Sequence, residues 1–104
     1  MAKLTDKIEV PFCLVFRDKL AKGYTFEQLD KRNIKDFQAF LGKISNMTVD
    51  QVDKEFARQP DKQDVYCDKQ VLHYGVTEKF RIHGIRVQNG FMVIRLDPNH
   101  KVHK

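Results

Sequence analysis

The chain has 104 residues, of which 41% are hydrophobic, and 19 Lys and Arg stand against 14 Asp and Glu for a formal net charge of +5. That apolar mass, with eight Phe and three Tyr, excludes a disordered chain, and the length holds one domain and not two. No apolar run approaches the roughly 20 residues that span a bilayer, and the polar start Met1–Lys7 leads to the expectation of no signal peptide and a cytoplasmic protein with reduced thiols.

In chain order, Ile8, Val10, Phe12, Leu14 and Phe16 alternate with Glu9, Pro11, Cys13 and Val15. This period of two predicts a strand, with Pro11 at an edge or a strand start. A helix opening at Pro11 and capped at Gly23 is the alternative. Cys13 lies inside this apolar run and is expected in the core. Thr25 and Gln28 form a capping box. Asn33 is a second candidate cap, just before Ile34, Phe37, Phe40, Leu41 and Ile44, which share one helical face. That Phe stripe reads as core, with a partner groove as the alternative. Gly42 and Ser45–Asn46 end this helix. Thr48 with Gln51 opens another, from about Val49 to Arg58, which Gln59–Pro60–Asp61 stops.

Residues 60–70 are polar and are expected to form a mobile loop. Val71 to Tyr74 reads as a short strand. Lys79 to Val87 and Phe91 to Leu96 flank Gln88–Asn89–Gly90, and Asn-Gly between two such runs is a strong hairpin signal. Asp97–Pro98–Asn99 ends the last strand, leaving a short polar tail at about 98–104. The expectation is therefore a single α+β domain over 1–104. Its order is strand, helix, helix and three strands, with two helices packed on one face of an antiparallel sheet.

A two-residue Asn89–Gly90 loop would place Val87 opposite Met92, Ile85 opposite Ile94 and His83 opposite Leu96, on the core face. The other face would carry Arg86, Gln88, Phe91, Val93 and Arg95. Arg86 and Arg95 as diagonal neighbours would repel unless an anion or an acidic side chain lay between them. With Phe91 exposed beside them, such a face suits phosphate contact and base stacking. The alternative is a solvated face whose arginines pair with acids from the helices. The charge distribution supports an anionic partner here: from residue 76 on, Lys79, Arg81, Arg86, Arg95, Lys101 and Lys104 face two acids, Glu78 and Asp97.

At the open end of the hairpin, Arg81, His83, Asp97 and His100 are candidates to lie together. One histidine would take a proton from a 2′-hydroxyl, a second histidine or the acid would protonate the leaving oxygen, and Arg81 would stabilise the charge on phosphate. A bulge at Gly84 would instead turn His83 to the other face, and a buried structural His83 is the plainer reading. His100 and His103 also read as solvated tail. No cofactor is implied. His100, His103, Asp97, His73 and Cys67 do not form a metal-ligand spacing, and Cys13 and Cys67 form no CxxC pair. Ser45 is not in a nucleophile motif.

The strand–helix–helix–three-strand order and the basic segments Lys79–Arg86 and Phe91–Lys101 resemble the RelE/ParE-like superfamily of small toxins. Many of its members cleave messenger RNA on the ribosome, and others poison a topoisomerase. The resemblance implies that His83 or His100 serves as acid or base, with Arg81, Arg86 and Arg95 on phosphate. It also implies RNA or the ribosome as partner, and an acidic antitoxin protein. The polar segment 60–70 and the long Phe-rich helical region depart from the family pattern. Lys79 and Lys101 complete the expected nucleic-acid surface with Phe91. The competing class is a noncatalytic module that binds protein or nucleic acid through the same hairpin.

Overall fold

The computed structural model describes residues 10–88 and 90–101. Ile8, Glu9, Asn89 and residues 102–104, with His103, lie outside them. The fold is α+β, as expected, but the sheet is mixed.

The first segment is shorter as a strand than its alternation predicts. Phe12 N–H donates to the Met47 carbonyl and Val49 N–H to that of Val10, so residues 10–12 pair with the loop between the helices. Pro11 has no N–H to give and sits in that short bridge opposite Thr48. Strand β1 then covers only Cys13–Val15, and Cys13 is exposed, not core.

The capping boxes form where the side chains dictate. Thr25 and Gln28 close a single 3-10 turn, Phe26–Gln28. Helix α1, Lys31–Ile44, has its cap three residues before the expected Asn33. Asp30 is its N-cap, and Asn33 answers from the third helical position. Helix α2, Val49–Phe56, is capped by Thr48 with Gln51. It ends two residues early because Ala57–Arg58 turn extended as β2, leading into Pro60.

The segment expected to be a mobile loop is instead a ribbon. Strands β3, Val65–Tyr66, and β4, Lys69–Gln70, pair antiparallel across Cys67 and Asp68. Both turn residues take positive φ, 52° and 65°, as a type I′ turn demands. Strands β5, Leu72–Gly75, β6, Arg81–Val87, and β7, Gly90–Asp97, follow. The five-stranded sheet runs β1-β7-β6-β5-β2, with β1 parallel to β7 and the other pairs antiparallel.

Each face of this sheet is covered by something different. Phe37, Phe40, Ile44, Val52 and Phe56 of the helices pack on Tyr74, Ile82, Phe91, Val93 and Leu96. Phe40 meets Phe56 edge-on at 5.0 Å, and Tyr74 meets Phe91 at 4.5 Å. Each of these buried side chains contributes about 1.5–3 kcal/mol, so the Phe stripe is core. Ile34 alone of the expected stripe stays out, at 56% exposed. On the opposite face Val71, Ile85, Met92 and Ile94 pack with Val15, Val87 and Tyr66 of the ribbon.

A polar contact is set at the edge of the helix-covered core. The Tyr74 hydroxyl donates to Asp53 of α2, and Arg86 donates to both Asp53 oxygens at 2.9 Å. Burial first, and the bond to Asp53 second, push ionisation of Tyr74 well above the ordinary tyrosine range. The unfolded chain, ionising near pH 10, then loses this proton first. The contribution to stability is full below about pH 10 and is lost as pH rises beyond it. In an absorbance titration, Tyr74 is expected to stay silent until the chain unfolds, and Tyr74→Phe to remove that late step. Reversible ionisation of all three tyrosines in the folded protein near pH 10 would contradict this.

Candidate functional site

The hairpin that was expected to carry the site has a different register. Val87 pairs with Gly90, Arg86 with Phe91 and Ile85 with Met92, so the ladder is displaced from the expected Val87–Met92 pairing. Between Gly84↔Val93 and His83↔Arg95 the register shifts, leaving Ile94 as an extra residue on β7. The bulge is held open from outside: Ala21 N–H donates to the Ile94 carbonyl, and Leu96 N–H to that of Tyr24.

This bulge decides where the arginines go. Arg86 stays on the helix-covered face beside Phe91 and is neutralised by Asp53. Arg95 is turned to the opposite face and meets Asp64, 2.5 Å away, with both side chains about 15% exposed. The two arginines therefore do not share a face, and each pairs with an acid. Phe91 is 0% exposed and belongs to the core, so it offers no stacking surface. A large aromatic and Val93 on that face bury more apolar area than the arginine beside them can prevent, which is why the helices cover it.

Charged and imidazole side chains gather at the open end of the hairpin. Arg81 pairs with Asp97 across the ladder. Asp97, 1% exposed, anchors the turn after β7. Its carbonyl accepts from His100 N–H at 3.4 Å and its Oδ1 accepts from Lys101 N–H at 2.9 Å. His100 is held there at φ 52°. His83 is 0% exposed and stacks on His73 of β5, with centroids 3.9 Å apart and 17° between ring planes. Lys79, in the turn before β6, and Lys101 are exposed at this end.

An open cleft of about 570 Å³ is lined here by Arg58, Gln59, Pro60, Asp61, His73, Arg81 and His100. A second recess, of about 390 Å³, shares Arg58 and Arg81 and extends to Lys43, Glu55 and Glu78. Arg58 donates to the Phe56 and Ala57 carbonyls at 3.0 and 3.2 Å, and its guanidinium lies over Gly75, where a Cβ would stand 2.9 Å from it. Arg81 donates to the Glu78 carbonyl at 3.0 and 2.8 Å. Among the described residues, neither guanidinium has a carboxylate within 4.0 Å. Burial first, and the charge of Arg58 second, lower the proton affinity of Arg81. Two half-buried cations thus stand near each other, hydrogen-bonded to neutral carbonyls, and the charges of Glu78 and Asp97 offset the repulsion on Arg81 only in part.

Of the expected site, Arg81, Asp97 and His100 come together, while His83 lies behind His73. Arg58 is not singled out by the sequence, and His73 enters there only among the metal-ligand candidates. The sequence predicts Arg58 as the last residue of a helix, whereas the chain turns extended at Ala57–Arg58. The alternation of Val71 and His73 put His73 on one face with its ribbon-covered neighbours, and the pairing His73↔His83 completes the stack. No group of three or more metal-ligating side chains occurs among the described residues, and no helix among them is long and apolar enough to cross a membrane. No family model, curated protein or solved structure matches the chain.

Proposed function

We propose that this protein acts on RNA, seating a phosphodiester in the cleft between Arg58 and Arg81, in the manner of a RelE-like endoribonuclease of the cytoplasm. The observation that carries this reading is the pair of neighbouring guanidiniums without a carboxylate partner. A phosphate between them would relieve their repulsion and accept charge-assisted hydrogen bonds from both. A planar fork is the donor geometry that phosphate oxygens match best.

The cleavage chemistry follows from the histidines on the same cleft. The 2′-oxygen attacks phosphorus as His100 takes its proton, and the P–O5′ bond breaks as the second imidazole, His73, delivers a proton to the leaving oxygen. The products are a 2′,3′-cyclic phosphate and a 5′-hydroxyl. Arg58 and Arg81 hold the charge that develops on the phosphate. The resemblance to the RelE/ParE-like superfamily supports the ribosome as the setting and an acidic antitoxin as the partner. The burial of His83, and of His73 at 3% exposed, favours a second reading, a module that binds RNA without cutting it.

One experiment separates these readings. The full chain is expressed inducibly in bacteria while messenger RNA ends are mapped, and the purified protein is titrated with a fluorescent 2′-O-methyl oligoadenylate, which cannot be cleaved. Growth arrest with new RNA ends is expected from the wild type. Arg58→Ala/Arg81→Ala should lose both arrest and at least 100-fold in affinity, two charged contacts being removed. His100→Ala should lose cleavage and keep binding. Binding without new ends in the wild type supports the module. No binding to RNA at all overturns the proposal.

A further inference from the structure

A third recess lies on the same face of the sheet as the arginine cleft, with Asp61 lining the cleft and Asp64 the recess. It encloses about 370 Å³ between Tyr24, Val65, Tyr66 and Ile94, with Lys19 and Lys22 at its rim. We propose that this recess is a nucleobase pocket for the RNA strand whose phosphate sits at Arg58–Arg81; the inference rests on that reading.

Five features of the recess point to this ligand. Its volume is at the small end of the range for ligand pockets, about 300–1,000 Å³, which suits one ring system and not a folded partner. Its walls carry two aromatic rings, and every base has a π-face to lay against one. The rings are held in place beforehand. Residues 21–24 are tied to β7 by two main-chain hydrogen bonds, and the Tyr66 hydroxyl donates to Asp18 at 2.9 Å. A site built in advance loses less order on binding. Lys19 and Lys22 are exposed, and among the described residues neither has a carboxylate within 4.0 Å, so both are available to the phosphates that flank a base. The Asp64–Arg95 pair at the back supplies polar atoms to a base edge.

The test compares two probes on the full chain by fluorescence anisotropy: a 2′-O-methyl decaadenylate, and a strand of the same length and backbone that is abasic throughout. The wild type should bind the base-bearing strand about tenfold more tightly, the size of one base–aromatic stack. Tyr24→Leu should lose that tenfold advantage and leave abasic binding unchanged, while Tyr24→Phe keeps the ring and the affinity. Equal wild-type affinity for the two strands overturns the pocket and needs no variant to read. A folded Tyr24→Leu protein with unchanged preference also overturns it. If the strand is bound and Arg58→Ala/Arg81→Ala still releases it, the phosphate cleft survives the loss of the base pocket. If the wild type binds neither strand, both readings fall.

Discussion

Gly84→Ala is expected to destabilise the protein by about 4 kcal/mol or more, the scale reached only when a backbone must move or a core is breached. A Cβ at this position would stand 2.1 Å from the Met92 carbonyl oxygen, 2.8 Å from its carbon and 2.9 Å from the Phe91 ring. The first two are backbone atoms of the neighbouring strand and cannot rotate away. The methyl would force β6 from β7 beside the register shift that places Arg95 and His83. For a domain of this size the melting temperature should fall by on the order of 15 °C or more. Gly42→Ala is the matched control. It sits in α1 with nothing within 4 Å of an added Cβ, and alanine there should stabilise by ~0.5–1 kcal/mol. Thermal melts of the two variants decide the matter. A Gly84→Ala protein melting within a few degrees of wild type would mean that the strands do not approach as described.

Asp64→Ala is expected to cost about 3–5 kcal/mol, the loss that follows when one member of a buried ion pair is removed and the other charge is stranded. Arg95 and Asp64 are 14% and 15% exposed, with a contact of 2.5 Å. Their pairing joins the sheet to the segment just before the ribbon, whose Val71 N–H donates to the Asp64 carbonyl at 2.8 Å. Replacing both partners together, as Asp64→Leu/Arg95→Met, should recover most of the loss, because no buried charge is then left uncompensated. Denaturant unfolding of the single and double variants forms a cycle from which the coupling is read. Asp53–Arg86 is the contrast, since its side chains are 36% and 39% exposed and solvent screens the pair. A cost below about 1 kcal/mol for Asp64→Ala would show that Arg95 reaches water, and the phosphate role first read for it from the sequence would reopen.

Local signals were legible where a side chain bonds within its own turn. Thr25 with Gln28 and Thr48 with Gln51 announced their caps, and the helical spacing of Phe37, Phe40 and Ile44 announced the core stripe. Asp30 was missed as a cap because Asn33, which answers it, has the same preference. The β3–β4 ribbon was missed because its residues are polar and its turn, Cys67–Asp68, lacks the glycine that usually marks positive φ. In the candidate site, Arg81, Asp97 and His100 were found together because strand pairing in a hairpin is nearly local. Arg58 pairs with His73, 15 residues on, a distance like the 16 between Arg81 and Asp97, but no Asn-Gly turn between them announced the register.

By itself, the sequence determined the class of fold, the two helices and the positive end of the last hairpin, since those rest on periodicity, capping and charge. Tertiary structure alone decided which sheet face meets the helices and where each arginine points. Both faces of β7 carry large apolar residues, so alternation could not rank them. The choice came from what covers each side, the helices over Phe91 and Val93 and the ribbon over Met92 and Ile94. One extra residue at Ile94, held by residues 21–24, then parted Arg86 from Arg95. Arg58 and Arg81 were brought together at the cleft by the pairing of β2 with β5 and of β5 with β6, with no carboxylate within 4.0 Å of either guanidinium among the described residues.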